Sequence, residues 1–381
     1  MKKILYVLDY YLPHKWGVET VFEQIINRSL EQWYHVIVLT SRYDKKLEKH
    51  EQYGNLEIYR VGSSRKGFIL SWFWKGWDIL KKNPDIACIH TSTYGGAIPA
   101  SLLWKFFKKK VLLTVHEIFW KLWNRYKGFL SAWIYRLFEW IIFHIWFDSY
   151  HCVSYYTLNS LRVYYGIPDK KLFVAHNGVD YDFWDKRKVK KEEKEDIKKK
   201  FWLEGKRNLL YFWHTGISKG IDLLVDSIPE LLAQEKDLQL IFNFIPANRD
   251  VYIRDRIRDI LSELPAKERG RVKIWNGLEK PELRALVASV DWVIAPSLSE
   301  GFGSVHTETL ALWTPLITTY VASLPEVLWW KVLFFAPDVK ASLCEVVKKL
   351  KTWDYTPLPE KMFSWDSQYE RLLKWYKRVG C

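Results

Sequence analysis

Two glutamates, Glu300 and Glu308, bracket the string Pro296-Ser-Leu-Ser-Glu300-Gly-Phe-Gly303-Ser-Val-His-Thr-Glu308, and these residue types at this spacing suit the binding of a phosphorylated, hydroxyl-rich ligand. Gly301 and Gly303 permit close backbone approach and positive φ. A helix starting near Ser304 would aim unpaired N–H groups at an anion such as a diphosphate. The carboxylates are good acceptors for sugar and ribose hydroxyls. A helix start with an acidic cap would account for one Glu and one Gly, but hardly for the whole string.

Three other stretches carry candidate chemistry. Trp213-His-Thr-Gly-Ile-Ser-Lys219-Gly220-Ile-Asp222 sets a lysine just before a helix, where it could neutralise charge on a departing diphosphate, although a lysine at a helix start is ordinary. Val115-His116-Glu117 places an imidazole at the end of an apolar strand, a position that suits a structural histidine equally well. Pro13-His-Lys-Trp-Gly17-Val-Glu19 reads as a strand-to-helix turn without GxGxxG spacing, so a dinucleotide cofactor is not supported.

The elements that must position these residues follow from periodicity. Apolar, β-branched runs alternate with helix-period segments, which argues for βα units on parallel sheets. The first half predicts strands near Ile4–Leu8, Val36–Thr40, Ile86–His90, Val111–Val115, Cys152–Ser154 and Phe173–His176. The second predicts Leu209–Phe212, Leu238–Phe244, Val272–Trp275, Trp292–Ala295, Leu316–Thr319 and Val332–Phe335. Ligands of open parallel sheets bind beyond the strands' carboxyl ends, where all four motifs fall.

Composition narrows the class further. The 381 residues, 49% hydrophobic and 27% charged, fit a globular chain of two domains. Asp9 interrupts the apolar start, which argues against a secretory signal. The apolar stretch Phe129 to Phe147 carries Arg136, Glu139 and His144, so it reads as a buried or interface helix and not a span. Cys88, Cys152, Cys344 and Cys381 are far apart and form no CxxC pair, so neither a zinc site nor a disulfide framework is expected, and a reduced cytoplasm fits. The net charge of +14 is divided between Lys186–Lys200, read as a solvated linker or helix face, and places such as Lys105–Lys110, which beside aromatics would suit an anionic membrane.

In order along the chain, these strings resemble the GT-B-fold retaining glycosyltransferases of family 4, the glycosyl transferases group 1. Glu300 to Glu308 is similar to the family's E-x7-E motif with its internal GFG, Asn177-Gly-Val-Asp180 to its NGVD turn, and Lys219-Gly-Ile-Asp222 to its KGxD element. The resemblance implies an α/β fold of two Rossmann-like domains with parallel sheets facing across a cleft. Residues 1–185 would bind the acceptor, 186–206 form a charged linker and 207–358 bind the nucleotide-sugar; 359–381 would be a helix crossing back to the first domain. It implies that Lys219 and His214 meet the donor diphosphate, with Gly301, Phe302, Gly303 and Ser304 approaching it through the loop and helix start. Glu308 would hold the ribose, Glu300 the transferred sugar, His116 would sit beside that sugar, and Gly17 would let the diphosphate approach the opening loop. Retention would come from front-face attack, with no metal, no cofactor and no covalent nucleophile. The implied partners are a nucleotide-sugar donor and a glycan or lipid-linked acceptor, with peripheral contact to an anionic membrane but no nucleic acid. Envelope polysaccharide synthesis in the cytoplasm is the implied setting. A GT-B protein that binds without catalysing and a sugar-nucleotide epimerase are the alternatives; nucleic-acid binding rests on charge alone, and the acidic motif opposes it.

Two departures stand out. Trp213-His214 replaces the usual Gly-Arg ahead of KGxD, leaving His214 to substitute with a weaker, pH-dependent charge. Trp16, Trp33, Trp213, Trp313, Trp329 and Trp330 stand where such sequences commonly carry glycine. The chain has 22 Trp and 18 Gly, whereas a usual glycine share would give about 27. A stop codon read as glycine in the source organism, translated here as tryptophan, would produce this pattern and would weaken the aromatic argument for a membrane.

Overall fold

The computed structural model describes residues 2–14, 16–62, 65–126, 128–245, 249–352 and 357–381, which form two compact units, Met1–Gly178 with Phe363–Cys381, and Val179–Met362. The first holds an eight-stranded sheet of β1 (Lys3–Leu8), β2 (His35–Ser41), β3 (His50–Tyr53), β4 (Leu56–Val61), β5 (Ile86–Ser92), β6 (Lys110–Val115), β7 (Ser149–Cys152) and β8 (Leu172–Val174). The spatial order is β3-β4-β2-β1-β5-β6-β7-β8, and β3 alone runs antiparallel to its neighbour. Ile4 to Leu8 and Val36 to Leu39 are buried almost completely, as expected of strands covered on both faces. The β3–β4 pair escapes the apolar pattern because polar side chains carry it. Arg60 in β4 is buried through an ion pair with Glu51 at 2.7 Å and a bond to the Leu12 carbonyl at 2.8 Å. Charge on the edge strand β3 also discourages pairing with another chain.

The carboxy-terminal helix, Trp365–Arg378, belongs to this unit. Ser364 caps it by accepting from Ser367 N–H, and its apolar stripe buries Tyr369, Leu372, Trp375 and Tyr376 against the sheet face that also holds Phe22, Ile25 and Ile26 of the first helix, Gly17–Glu31. The Tyr376 hydroxyl reaches Tyr6 at 3.1 Å and His90 at 2.7 Å. The Asn-Gly of the NGVD string locks the helix start: Gln368 donates to Asn177 at 2.9 Å, and a Cβ on Gly178 would lie 2.3 Å from the Trp365 nitrogen. The chain ends at Cys381, disulfide-bonded to Cys88 on β5 across 293 residues. This corrects the expectation of no disulfide. Spacing is a poor guide when a returning helix brings a distant segment back to an internal strand, and the cysteines therefore give no support to a reducing compartment.

The second unit holds a six-stranded, all-parallel sheet of β9 (Arg207–Tyr211), β10 (Leu238–Phe244), β11 (Val272–Asn276), β12 (Trp292–Ala295), β13 (Leu316–Thr319) and β14 (Val332–Phe335), in the order β11-β10-β9-β12-β13-β14. The segment 186–206, expected as a linker, lies inside this unit: its helix Lys191–Phe201 is charged on one side but buries Ile197 and Phe201 on the other. Mixed charge there marks the solvated face of a packed helix.

Of the six suspect tryptophans, Trp33, Trp313 and Trp330 take left-handed backbone at φ 61°, 55° and 60°, as do two not singled out by the sequence, Trp120 at 40° and Trp202 at 51°. Trp16 has φ −119°, and Trp213 and Trp329 are buried outside the left-handed region. Trp33, Trp202 and Trp313 each follow a helix in one shared geometry. The next residue donates back five positions, Tyr34 to Ser29 and Leu203 to Lys198 at 3.0 Å, and Thr314 to Thr309 at 3.2 Å. Gly380 does the same after the last helix, with φ 88° and Cys381 N–H on Tyr376 at 2.8 Å. This is the helix ending that glycine serves best.

Candidate functional site

Strand order locates the site in the second unit. From β9 the chain proceeds outward to β10 and β11, then returns to β12 on the opposite side of β9 before moving out to β13 and β14. Loops after β9 and β12 therefore diverge and leave a crevice at the point where strand order reverses, where ligands of open α/β sheets bind. The loop after β9 carries His214, Lys219 and Gly220; the loop after β12 carries Glu300 to Gly303.

These loops are knitted together. Leu298 N–H donates to the Ser218 carbonyl at 2.7 Å, and Gly220, at φ +63°, lies so close to Pro296 that a Cβ would be 1.8 Å from its carbonyl oxygen. Lys219 Nζ donates to Glu300 Oε1 at 2.8 Å, the Ser297 hydroxyl to the same oxygen at 2.9 Å, and the Ser323 hydroxyl to the Glu300 carbonyl at 2.9 Å. Burial opposes ionisation of Glu300, but Lys219 and its hydrogen bonds outweigh that and hold the carboxyl below its usual range. Neighbouring His306 adds little near neutral pH, because burial pushes its own pKa down to about 4. Lys219 and Glu300 thus form a mostly buried ion pair at the strand ends. Ser297, Ser323 and His306 were not singled out in the sequence; a serine, whether inside the motif or beyond β13 like Ser323, gives no signal of which oxygen it reaches.

Gly303, at φ +85°, caps the helix Ser304–Ala311, so the chain turns into the helix with its first N–H groups free of intrahelical partners. Gly301 and Phe302 are buried in the preceding turn. Glu308 lies further along this helix, where burial, reinforced by Asp180, pushes its pKa up to about 8 against the opposing pull of Lys280 and the Trp184 indole. Its carboxyl is thus largely protonated at neutral pH. Because the folded state holds that proton more tightly than the unfolded chain, stability is expected to fall as pH rises from the ordinary carboxylate range to about 8. Thermal melts of Glu308→Gln across that window should show a smaller decline than the parent; an equal decline would assign it to other groups.

His214 departs from expectation. Its Nδ1 accepts from Gly216 N–H at 3.1 Å, and burial, then Lys219, push its pKa down to about 4. It is uncharged at neutral pH, so it does not supply the substitute positive charge expected of it.

In the first unit, His116 follows β6 with its ring 5.8 Å from that of Phe22. Burial and then His151 lower its pKa to about 3, and buried Nε2 has no hydrogen-bond partner among the described residues. A neutral imidazole with an unused polar nitrogen can hydrogen-bond a ligand hydroxyl. The loop after it is clamped by Glu139, which accepts from Phe119 N–H, Trp120 N–H and the Tyr94 hydroxyl at 2.9 Å each and from the Tyr165 hydroxyl at 2.7 Å. In the sequence Glu139 shows only as a charge interrupting an apolar run. Gly17 opens the first helix, with nothing within 4 Å of where a Cβ would stand. If the donor approaches there as the resemblance implies, Gly17→Ala is expected to weaken donor binding without lowering the melting temperature; unchanged binding would mean that no ligand approaches there. Among the described residues, no group of three His, Cys, Asp or Glu side chains could hold a metal ion.

Comparison with known proteins gives these features a family. Residues 17–183 match Glycosyltransferase Family 4, and residues 208–351 match Glycosyl transferases group 1. The chain is 29% identical over 173 residues to one component of human phosphatidylinositol N-acetylglucosaminyltransferase, and the match covers 42% of this chain and 34% of that protein. The chain thus spans about a third of that relative's length. Sucrose-phosphate synthase from Thermosynechococcus elongatus superposes with a TM-score of 0.78 at 16% identity, over 100% of this chain and 99% of the other. Anabaena Alr3699/HepE, solved in complex with UDP-glucose, superposes with a TM-score of 0.73 at 12% identity, over 99% and 100%. With one family description on each unit and the GT-B fold throughout, the chain belongs to the family 4, group 1 glycosyltransferases.

Proposed function

We propose that this chain transfers a sugar from a nucleotide-diphosphate donor to a glycan or lipid-linked acceptor, with retention of anomeric configuration, in the assembly of a cell-envelope polysaccharide. The observation that carries the reading is the Lys219–Glu300 pair at the strand-order reversal, beside the helix start opened by Gly303. In this reading Lys219 faces the diphosphate and stabilises charge as it departs, an effect that a largely water-excluded site strengthens. The N–H groups beyond Gly303 face the same phosphates. Glu300, ionised, accepts from the transferred sugar's hydroxyls, and Glu308 bonds the ribose. His116 offers Nε2 to the sugar, and the departing phosphate oxygen helps to take the acceptor's proton, so neither a metal nor a protein nucleophile takes part. The Anabaena protein solved with UDP-glucose supports a nucleotide-sugar donor.

A thermal-shift panel of UDP-, GDP- and ADP-sugars tests donor binding, since a ligand of the folded state raises the melting temperature with its affinity. With the donor so identified, proton NMR of the transfer product reads the anomeric configuration. A stabilising donor and a retained anomer are expected; no shift with any donor, or an inverted product, would overturn the reading.

A further inference from the structure

We infer that the outer face of the helix Phe129–His144 is a docking surface for an anionic lipid bilayer, on which the chain rests without spanning it. The inference does not rest on the sugar-transfer reading. Ala132, Glu139, Ile142 and Phe143 turn inward. At about 100° per residue, Phe129, Leu130, Trp133, Leu137, Trp140 and Ile141 fall on the opposite side, and all six are exposed. Phe129 is 89% and Leu130 72% exposed, and Ile134 on the same side is 54% exposed. The arc carries no acid, lysine or arginine. A folded chain leaves so continuous an apolar face in water only when something covers it.

The charge around the face says what. Residues 97–148 contain eight Lys or Arg against three acids, Glu117, Glu139 and Asp148, and Glu139 is fully buried. Lys105 and Lys110 lie near the helix's carboxyl end, where Lys171 joins them. Lys105 stands over the ring of half-exposed Trp146 at 5.1 Å, Lys171 reaches the Phe147 carbonyl at 2.9 Å, and Lys110 pairs with Asp148. Phe106 and Trp74, both more than half exposed, extend the apolar surface beyond Lys105. A second copy docked through this face would set these lysines against each other. Phosphate headgroups with acyl chains beneath satisfy both the cations and the apolar side chains. Among the described residues no helix is long and apolar enough to cross a membrane, so the fit is to the surface.

The full chain, without donor, is sedimented with vesicles of phosphatidylcholine alone or with phosphatidylglycerol added. Binding to the anionic vesicles is expected, weakening with salt, and the double variant Leu130→Glu, Ile134→Glu is expected to bind about tenfold or more weakly. Hydrogen exchange on the unaltered chain needs no variant to fold: anionic vesicles should protect residues 129–146. Absence of vesicle binding, lack of that protection, or a dimer that the double variant dissociates would overturn the inference. The sugar-nucleotide shifts report separately on the transferase reading.

Discussion

Lys219→Ala is expected to lower kcat by about 10²–10³-fold, the usual loss when a preorganised donor to a developing negative charge is removed. Lys219 is 12% and Glu300 8% exposed, so the cation acts where water screens it little. Removal also leaves Glu300 in its buried setting with the Ser297 hydroxyl but without its cation, and the carboxyl should then take up protons more readily. Two readouts separate catalysis from scaffolding. Lys219→Arg keeps the charge and should recover part of kcat, while Glu300→Gln should weaken transfer with the lysine still present. A Lys219→Ala enzyme within about threefold of the parent, folded by its melting curve, would remove this residue from the mechanism.

Replacing Trp33, Trp202 and Trp313 together by glycine is expected to stabilise the chain by about 2 kcal/mol. Each holds an L side chain in left-handed backbone, which costs roughly 1–2 kcal/mol. Glycine removes that cost and returns about 0.5–1 kcal/mol through the greater freedom of the unfolded chain. Trp33 is the clearest single test because it is 77% exposed at its helix end. Trp202 gives back some stability through its place beside Lys273 and Trp275, and Trp313 through its edge-on contact with Trp330 at 5.1 Å. Urea denaturation of Trp33→Gly and of the triple variant measures the change, and a loss of stability in Trp33→Gly would contradict it. The same positions test the codon idea: UGG at 33, 202 and 313 in the gene would exclude a stop codon read as glycine.

Trp202, which the sequence did not single out, shows what residue type alone can miss. A helix end is recognised by its back-donated N–H and its φ, and neither is written in residue type once the glycine is gone. By contrast, Trp16, Trp213 and Trp329 lie outside the left-handed region: buried Trp213 and Trp329 need packing space and exposed Trp16 needs none, and none of the three needs an unusual backbone.

By itself the sequence determined the alternating βα architecture, the six strands of the second sheet and the strings that carry Lys219, Glu300 and Gly303. Buried parallel strands must be apolar along their whole length, and phosphate-approaching loops need glycine, so both leave local marks. Tertiary structure alone decided that Lys219 and Glu300 pair across adjacent strand ends, that the β3–β4 edge forms around buried Arg60, and that segment 186–206 packs into the second unit. It decided too that Cys381 returns to Cys88, that His214 is uncharged and that Glu308 holds its proton. Each of these depends on which distant groups surround a side chain and how much water they exclude. No window of neighbouring residues contains that information.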